Sequence, residues 1–369
     1  MAATKILLLL VGPASCLTWL GISDVHFGHD VVTKNGTVTT SLSLNIQAVA
    51  ELNSLALNAT WPASLGGGVV QPPRGVILSG DIVDNGFTQA YELLNFTRVY
   101  GLNGSDGMLR YPICEGRGNH DGGNTTDTEP HPVASLIVAR NQARLAAPSI
   151  FALTNVSATG LHYSWAWPLL PAAAASGGGG GAPPPCAAHF VMLNEYAGHL
   201  CDGCAPAPSC FYGKACYTGW TYPEDSLGFL EATLARVVGS SGQPVFVIQH
   251  YCFDGYSDAW WSGAQRAELY ATLRKYNTVG VICGHTHQAA VYEWNGTDTG
   301  GSLAGGITVY NVPSTQKEDA DGFGEPSEFM AFSMEAAGGG AGVIRAGQRV
   351  GYEWGQVALK KAFTAPCLA

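Results

Sequence analysis

Charge is scarce in this chain: Asp, Glu, Lys and Arg make up only 12% of its 369 residues. That excludes a coiled coil or a charge-rich disordered polymer as a description of the whole. No Lys/Arg-rich run occurs and the net charge is −10, so the basic footprint of a nucleic-acid-binding surface is missing. Beyond the N-terminus nothing approaches the roughly 18 uninterrupted apolar residues of a spanning helix, so no transmembrane segment is expected. No repeat of 20–50 residues is visible, which removes solenoids and propellers.

What is present is a loop-rich chain able to build a large core. Hydrophobic residues reach 46%, with 48 glycines and 20 prolines. Residues 1–16 read as a signal peptide: Lys5 gives a positive start, Ile6 to Val11 an apolar centre, and Gly12 to Cys16 a small-residue exit. Seven Asn-x-Ser/Thr sequons stand at Asn35, Asn58, Asn95, Asn103, Asn124, Asn155 and Asn295, where chance predicts about two. N-linked glycans and a secreted or extracellular location, or a lumenal one in the secretory or endolysosomal pathway, follow as expectations. Ten cysteines then suggest disulfides. Cys201, Cys204, Cys210 and Cys216 read as two local bridges with three connectivities open, since an oxidising compartment disfavours the zinc site such spacing also allows. Cys252 and Cys283, beside and within apolar runs, are candidates for buried free thiols.

Short apolar runs rich in β-branched residues recur at Leu17–Ile22, Val76–Leu78, Phe190–Leu193, Val245–Ile248, Val279–Ile282 and Ile307–Val309, the pattern of strands covered on both faces. Helical spacing fills Ser41–Leu57 and Ser226–Val238, and Ser262 with Gln265 forms a capping box for a helix through Leu273. Alternation of the two predicts an α/β fold. Residues 171–185 and, more briefly, Ala336–Gly342 read as low-complexity loops. The expected organisation is one domain over 17–369, with the 171–185 insert and a Cys-rich loop at 201–216.

Five segments end in chemistry-bearing residues. They are Asp24-x-His26, Gly80-Asp81-x-x-Asp84, Gly118-Asn119-His120-Asp121, His250 and Gly284-His285-x-His287. Open α/β sheets place their ligands just beyond the carboxyl ends of strands. Mixed imidazole and carboxylate donors suit borderline divalent cations. Two such ions, sharing a carboxylate, polarise water and clamp phosphoryl oxygens. Asp84 reads as a cap of the following helix. The aromatics around His250 and the Cys-rich loop (Tyr251, Phe253, Trp260, Trp261, Tyr212, Tyr217, Trp220 and Tyr222) fit either a pocket wall or the packing of an insertion.

This series, over residues 24–287, resembles the five-block signature of the calcineurin-like metallophosphoesterases. The resemblance implies a four-layer α/β sandwich and two divalent ions (Zn, Mn or Fe). Asp24, His26 and His287 would hold one ion, Asn119, His250 and His285 the other, and Asp81 would bridge. His120 would face the phosphate as general acid or charge-stabilising donor, with Asp121 orienting its ring, and Arg117 would grip a phosphoryl oxygen as in the family's protein phosphatases. Purple acid phosphatases place a tyrosine where this chain has Asp84, so a ferric–tyrosinate centre is not expected. The implied activity is hydrolysis of phosphate esters by a secreted phosphatase-type enzyme using metal-activated hydroxide. The alternatives are a phosphodiesterase resembling acid sphingomyelinase or nucleotide-type members, and a non-catalytic exported binding glycoprotein.

Overall fold

A computed structural model describes residues 16–32, 38–84, 90–122, 132–147, 152–169, 186–193, 195–199, 225–255, 257, 261–297, 305–316 and 327–368. The signal segment up to residue 15, the 171–185 insert, the Cys-rich loop, Trp260 and the sequons at Asn35 and Asn124 lie outside the described residues.

In chain order the main elements are β1 (Cys16–Ile22), β2 (Val31–Val32), β3 (Val38–Thr39), α1 (Ser41–Asn58), β4 (Val76–Leu78), α2 (Ala90–Tyr100) and β5 (Ile113–Glu115). There follow α3 (Pro132–Ala146), β6 (Leu153–Val156), β7 (Tyr163–Pro168), β8 (Ala187–Met192), α4 (Ser226–Thr233), β9 (Val245–Ile248) and α5 (Gly263–Leu273). The chain closes with β10 (Thr278–Cys283), β11 (Ala290–Trp294), β12 (Ile307–Asn311), β13 (Glu328–Gly338), β14 (Ala341–Val350) and β15 (Glu353–Thr364). One sheet has the order β15-β14-β13-β1-β4-β5 and the other β11-β12-β10-β9-β8-β7-β6. Both are mixed. β1, β4 and β5 run parallel, as do β8, β9, β10 and β12, with antiparallel strands added outside them.

Three buried clusters define four layers. Leu17, Trp19, Ile77 and Cys114 of the first sheet meet Trp165, Phe190, Phe246 and Ile282 of the second; Trp19 lies edge-on to Phe190 and Phe246 and stacks on Phe332. α1, α2 and α3 cover the outer face of the first sheet through Val49, Leu52, Phe96, Val133 and Ile137. α4 and α5 cover the second through Leu227, Leu230 and Leu269. This is the α/β four-layer sandwich the motif series implied, with each parallel strand buried on both faces.

Local signals account for several element ends. Thr40 Oγ1 accepts the Ser43 N–H at 3.3 Å to start α1. The Ser262 hydroxyl accepts the Gln265 N–H at 3.3 Å and donates to Gln265 Oε1 at 3.0 Å, the box expected for α5. Ala336–Gly342 is not a loop insertion. Its ends belong to β13 and β14, and Gly339 and Gly340 make the turn at φ 63° and 76°, a hairpin geometry that needs glycine.

Two disulfides join described residues, Cys186–Cys367 and Cys252–Cys283. The second corrects the expectation of free thiols: the ends of adjacent parallel strands bring the two Cα atoms to 5.3 Å, within bridging range. Behind β5, the buried Glu115 carboxylate accepts from Arg140 Nε at 3.0 Å and Arg144 Nη2 at 2.6 Å, pinning α3 to the sheet.

Candidate metal centre

The carboxyl ends of β1, β4, β5, β9 and β10 lead into Asp24/His26, Asp81, Asn119/His120, His250 and His285/His287 respectively. Six non-glycine residues have positive φ among the described residues, and five of them are Asp24 (51°), His26 (37°), Asp81 (52°), His285 (71°) and His287 (60°). Such strain persists only where the surroundings over-determine it, and it collects at functional sites. Glycines permit the crowding. A Cβ on Gly80, itself at φ 132°, would meet Gly118 N and His250 Nδ1 at 2.7 Å, and one on Gly118 would collide with Asp81.

The side chains converge as two triads, Asp24/His26/His287 and Asp81/His250/His285, with a third group, His26/Asp84/His120, sharing His26. His26 Nε2 is 3.3 Å from His287 Nε2, 3.8 Å from Asp24 Oδ1 and 3.8 Å from Asp81 Oδ2. His287 Nε2 is 3.3 Å from Asp24 Oδ1, and His250 Nε2 lies 3.1 Å from Asp81 Oδ2 and 3.0 Å from Asn119 Oδ1. Two donors about 2.1 Å from one cation sit roughly 3.0–3.5 Å apart, so these spacings suit shared ions. Asp24 Oδ1 and Asp81 Oδ2 are buried and make no properly aligned hydrogen bond. The His250 approach to Asp81 is close but does not satisfy the oxygen. Buried anionic oxygens left this way require a cation, and the donor set present fits one.

Electrostatics agree. Burial would push the carboxyls of Asp24 and Asp81 up, but the surrounding histidines hold Asp24 well below the usual range and Asp81 at about 2. Burial keeps His26 down at about 4 and His285 at about 3. Burial also opposes charge on His250, yet Asp81 and Asp24 carry it up to about 9. The buried Asp81 and Asp24 charges thus favour a proton on His250, and a metal ion held by these side chains would compete with it.

The residues around the triads have partners that the motif series did not suggest. Asp121 does not orient His120. Its Oδ1 accepts the N–H groups of Ile82 (2.8 Å) and Val83 (3.0 Å) and its Oδ2 that of Gly118 (2.9 Å), clamping the two ligand loops together. Burial, with the Asp81 charge, pushes its carboxyl up to about 7 despite those donors. His120 instead bonds through Nδ1 to the Asp84 carbonyl at 2.7 Å. The Asp84 carboxylate lies 3.3 Å from His29 Nδ1 and 3.6 Å from His26 Nδ1, while the expected helix cap falls on residues 85–89, outside the described residues. Arg117 is buried, with Nη2 on the buried Glu195 Oε1 at 3.2 Å.

Sequence reasoning missed Glu195 and His29. Glu195 follows β8, and its carbonyl accepts the N–H of His250 at 3.1 Å and of Tyr251 at 2.8 Å. The rule that found the other five segments, a polar residue just past an apolar run, applies to Phe190–Leu193 as well and would have found it. Tyr251, Phe253 and Trp261 are buried in the packing of the second sheet.

No family model and no curated protein matches the sequence. Among solved structures, the fold is similar to a dimetal phosphatase from Danio rerio at 12% identity and TM-score 0.48, covering 95% of this chain and 99% of that one. It is similar to GAP50, the anchor in the inner membrane complex of Plasmodium, at 12% identity and TM-score 0.49, covering 95% and 89%. A calcineurin-like phosphoesterase from Bacillus subtilis follows at 12% identity and TM-score 0.35, covering 95% and 91%. Likenesses this distant do not carry chemistry across, so the reaction must be read from the site itself.

Proposed function

We propose that this chain is a metallophosphoesterase of the calcineurin-like type, a hydrolase of phosphate esters with a dinuclear metal centre, exported and glycosylated. The observation that carries the reading is the meeting of the two triads around the unsatisfied Asp24 and Asp81 oxygens. Asp24, His26 and His287 would hold one divalent ion and Asn119, His250 and His285 the other, with Asp81 between them. When bound, such ions supply Lewis-acid charge to phosphoryl oxygens and lower the pKa of water.

The protein's own part is orientation and proton transfer. Asp81 Oδ1 accepts the His120 N–H at 2.8 Å while Oδ2 faces the triads, so one carboxylate fixes both the metal cradle and the His120 backbone. The bond from Nδ1 to the Asp84 carbonyl makes that nitrogen the protonated one and sets the imidazole's direction. With Nε2 protonated as well, a histidine oriented this way and 33% exposed can donate to a phosphoryl or leaving-group oxygen. Export is supported by the two disulfides, and no helix among the described residues is long and apolar enough to cross a membrane. Asn103 and Asn295 each accept from the hydroxyl of their own sequon at 2.7 Å, presenting two glycan acceptor sites in turns.

Elemental analysis of purified protein should find two divalent ions per chain, with turnover of para-nitrophenyl phosphate. A large preference for the bis-ester would reassign it as a diesterase. Metal-loaded protein inactive on both esters across a broad pH range would leave only a binding role.

A further inference from the structure

We infer that the Cys252–Cys283 disulfide is a positioning device for one metal site of the pair, the one built from Asn119, His250 and His285. The inference rests on the dinuclear reading above. Cys252 lies two residues after His250 and Cys283 two before His285, and both cysteines are wholly buried. The ladder between β9 and β10 ends at Ile248 and Ile282. Beyond it, the hydrogen bonds joining the two ligand segments are Gln249 N–H to Ile282 O at 3.1 Å and Gly284 N–H to His250 O at 2.9 Å. His285 nevertheless has φ 71°, a conformation a β-carbon-bearing residue keeps only under constraint. The His285 N–H donates to Asp24 Oδ2 at 2.9 Å, the bridge adds a covalent constraint to the segment before it, and the Tyr251 ring adds an edge contact to the His285 ring with centroids 4.5 Å apart.

The other site is held by different means. Ser314 Oγ donates to the Asp24 carbonyl at 2.7 Å and Asn45 Nδ2 to that of Val25 at 2.8 Å. His26 N–H reaches the Asp81 carbonyl at 3.1 Å and Phe27 N–H that of Ile82 at 3.0 Å. His287, although two residues past His285, is tied to the end of β12 through the Asn311–Thr286 side-chain bond and the Ser314 N–H. None of these bonds passes through the disulfide. Opening it should therefore loosen one site and leave its neighbour intact.

The test is titration of zinc alone into metal-stripped protein, read by calorimetry and by metal content after dialysis. The native chain, Cys252→Ala/Cys283→Ala and, as a control, Cys186→Ala/Cys367→Ala would be compared. Cys186–Cys367 is the bridge between the start of β8 and the C-terminal turn. The expected result is two zinc ions in native and control proteins. In the Cys252/Cys283 variant one of the two binding events should weaken by about 10–100-fold relative to the native protein, the range seen when an outer support of a ligand is removed, with the other unchanged. Affinities for both ions unchanged from the native protein, or equal loss at both, would overturn the inference. A native protein that binds no zinc would instead overturn the dinuclear reading beneath it. If the alanine pair does not fold, the volume-retaining Cys252→Val/Cys283→Ala pair takes its place. Failure of both to fold while the control folds would assign the bridge to the stability of the whole sheet and reject the local role.

Discussion

Two buried charge clusters in this molecule have opposite bookkeeping. Behind β5, Glu115 faces Arg140 and Arg144, and each carboxylate oxygen takes a guanidinium N–H; the guanidiniums also reach the carbonyls of Gly101 and Ile113. At the strand ends, Asp24 and Asp81 are equally buried, yet one oxygen of each faces only imidazole nitrogens without an aligned bond. A cluster that closes on itself is structural. One left short of positive charge is built for something that arrives from outside.

The largest separation between the two should come from Asp81→Asn and Glu115→Gln. Asp81→Asn removes the carboxylate proposed to bridge the two ions, so metal content should drop towards zero and turnover by at least about 10²–10³-fold, the cost of losing one preorganised electrostatic group. The rise in melting temperature on adding metal, which follows RT ln(1 + [L]/Kd) in the native protein, should vanish with it. Full activity with metal retained would remove Asp81 from the shared position. Glu115→Gln should do the reverse: about 3–5 kcal/mol of stability lost, as when one partner leaves a buried pair, with two metals still bound per folded chain. Denaturant midpoints and elemental analysis measure the two quantities on the same samples. Metal loss in Glu115→Gln would break the division between the clusters.

A smaller effect separates proton transfer from metal holding. His120→Asn should keep both ions and lower kcat by about 10²–10⁴-fold, the usual weight of a positioned general acid. Asp84→Asn retains the backbone carbonyl that His120 uses, so it should cost much less. An equal loss in both would show that the Asp84 carboxylate, not its carbonyl, sets the ring.

How far these clusters could be read in advance follows from how local their signals are. Asp24, Asp81, Asn119, His250 and His287 each stand just past a β-branched run, so the pairing of strand end with ligand was visible in short windows, as were the Ser262 cap and the two-sided burial of β1 and β9. Partner choice was not. Whether Asp121 meets a ring or three backbone N–H groups depends on the approach of two loops about 40 positions apart, and no periodicity encodes it. Arg117 was singled out by its place in the motif series alone; its partner Glu195 lies 78 positions away. Cys252 and Cys283 looked like packing residues because a parallel pairing of β9 with β10, which brings them together, is a tertiary fact. β13 to β15 were hidden by glycine and alanine, which weaken strand signals although the hairpin turn itself demands Gly339 and Gly340.

His199 offers the mildest contrast, because it places charges like those of the centre in water. Its ring spans two carboxylates, Nδ1 3.1 Å from Asp225 Oδ1 and Nε2 3.1 Å from Glu268 Oε1, with the side chain 44% exposed. Burial alone would lower its pKa, but the bonds to Glu268 and Asp225 outweigh it and the value is raised. A histidine raised on folding stabilises the native state when both states are protonated. That contribution is therefore complete below its ordinary value near 6.5 and fades as pH rises through the higher folded value. Solvent screening keeps it below about 1 kcal/mol. His199→Gln should thus lower the melting temperature slightly at pH 5.5 and not at pH 9, with zinc binding unchanged. A deficit that is the same at both pH values would mean that His199 contributes by packing, and that exposure has erased the charge pairing that burial preserves at Glu115.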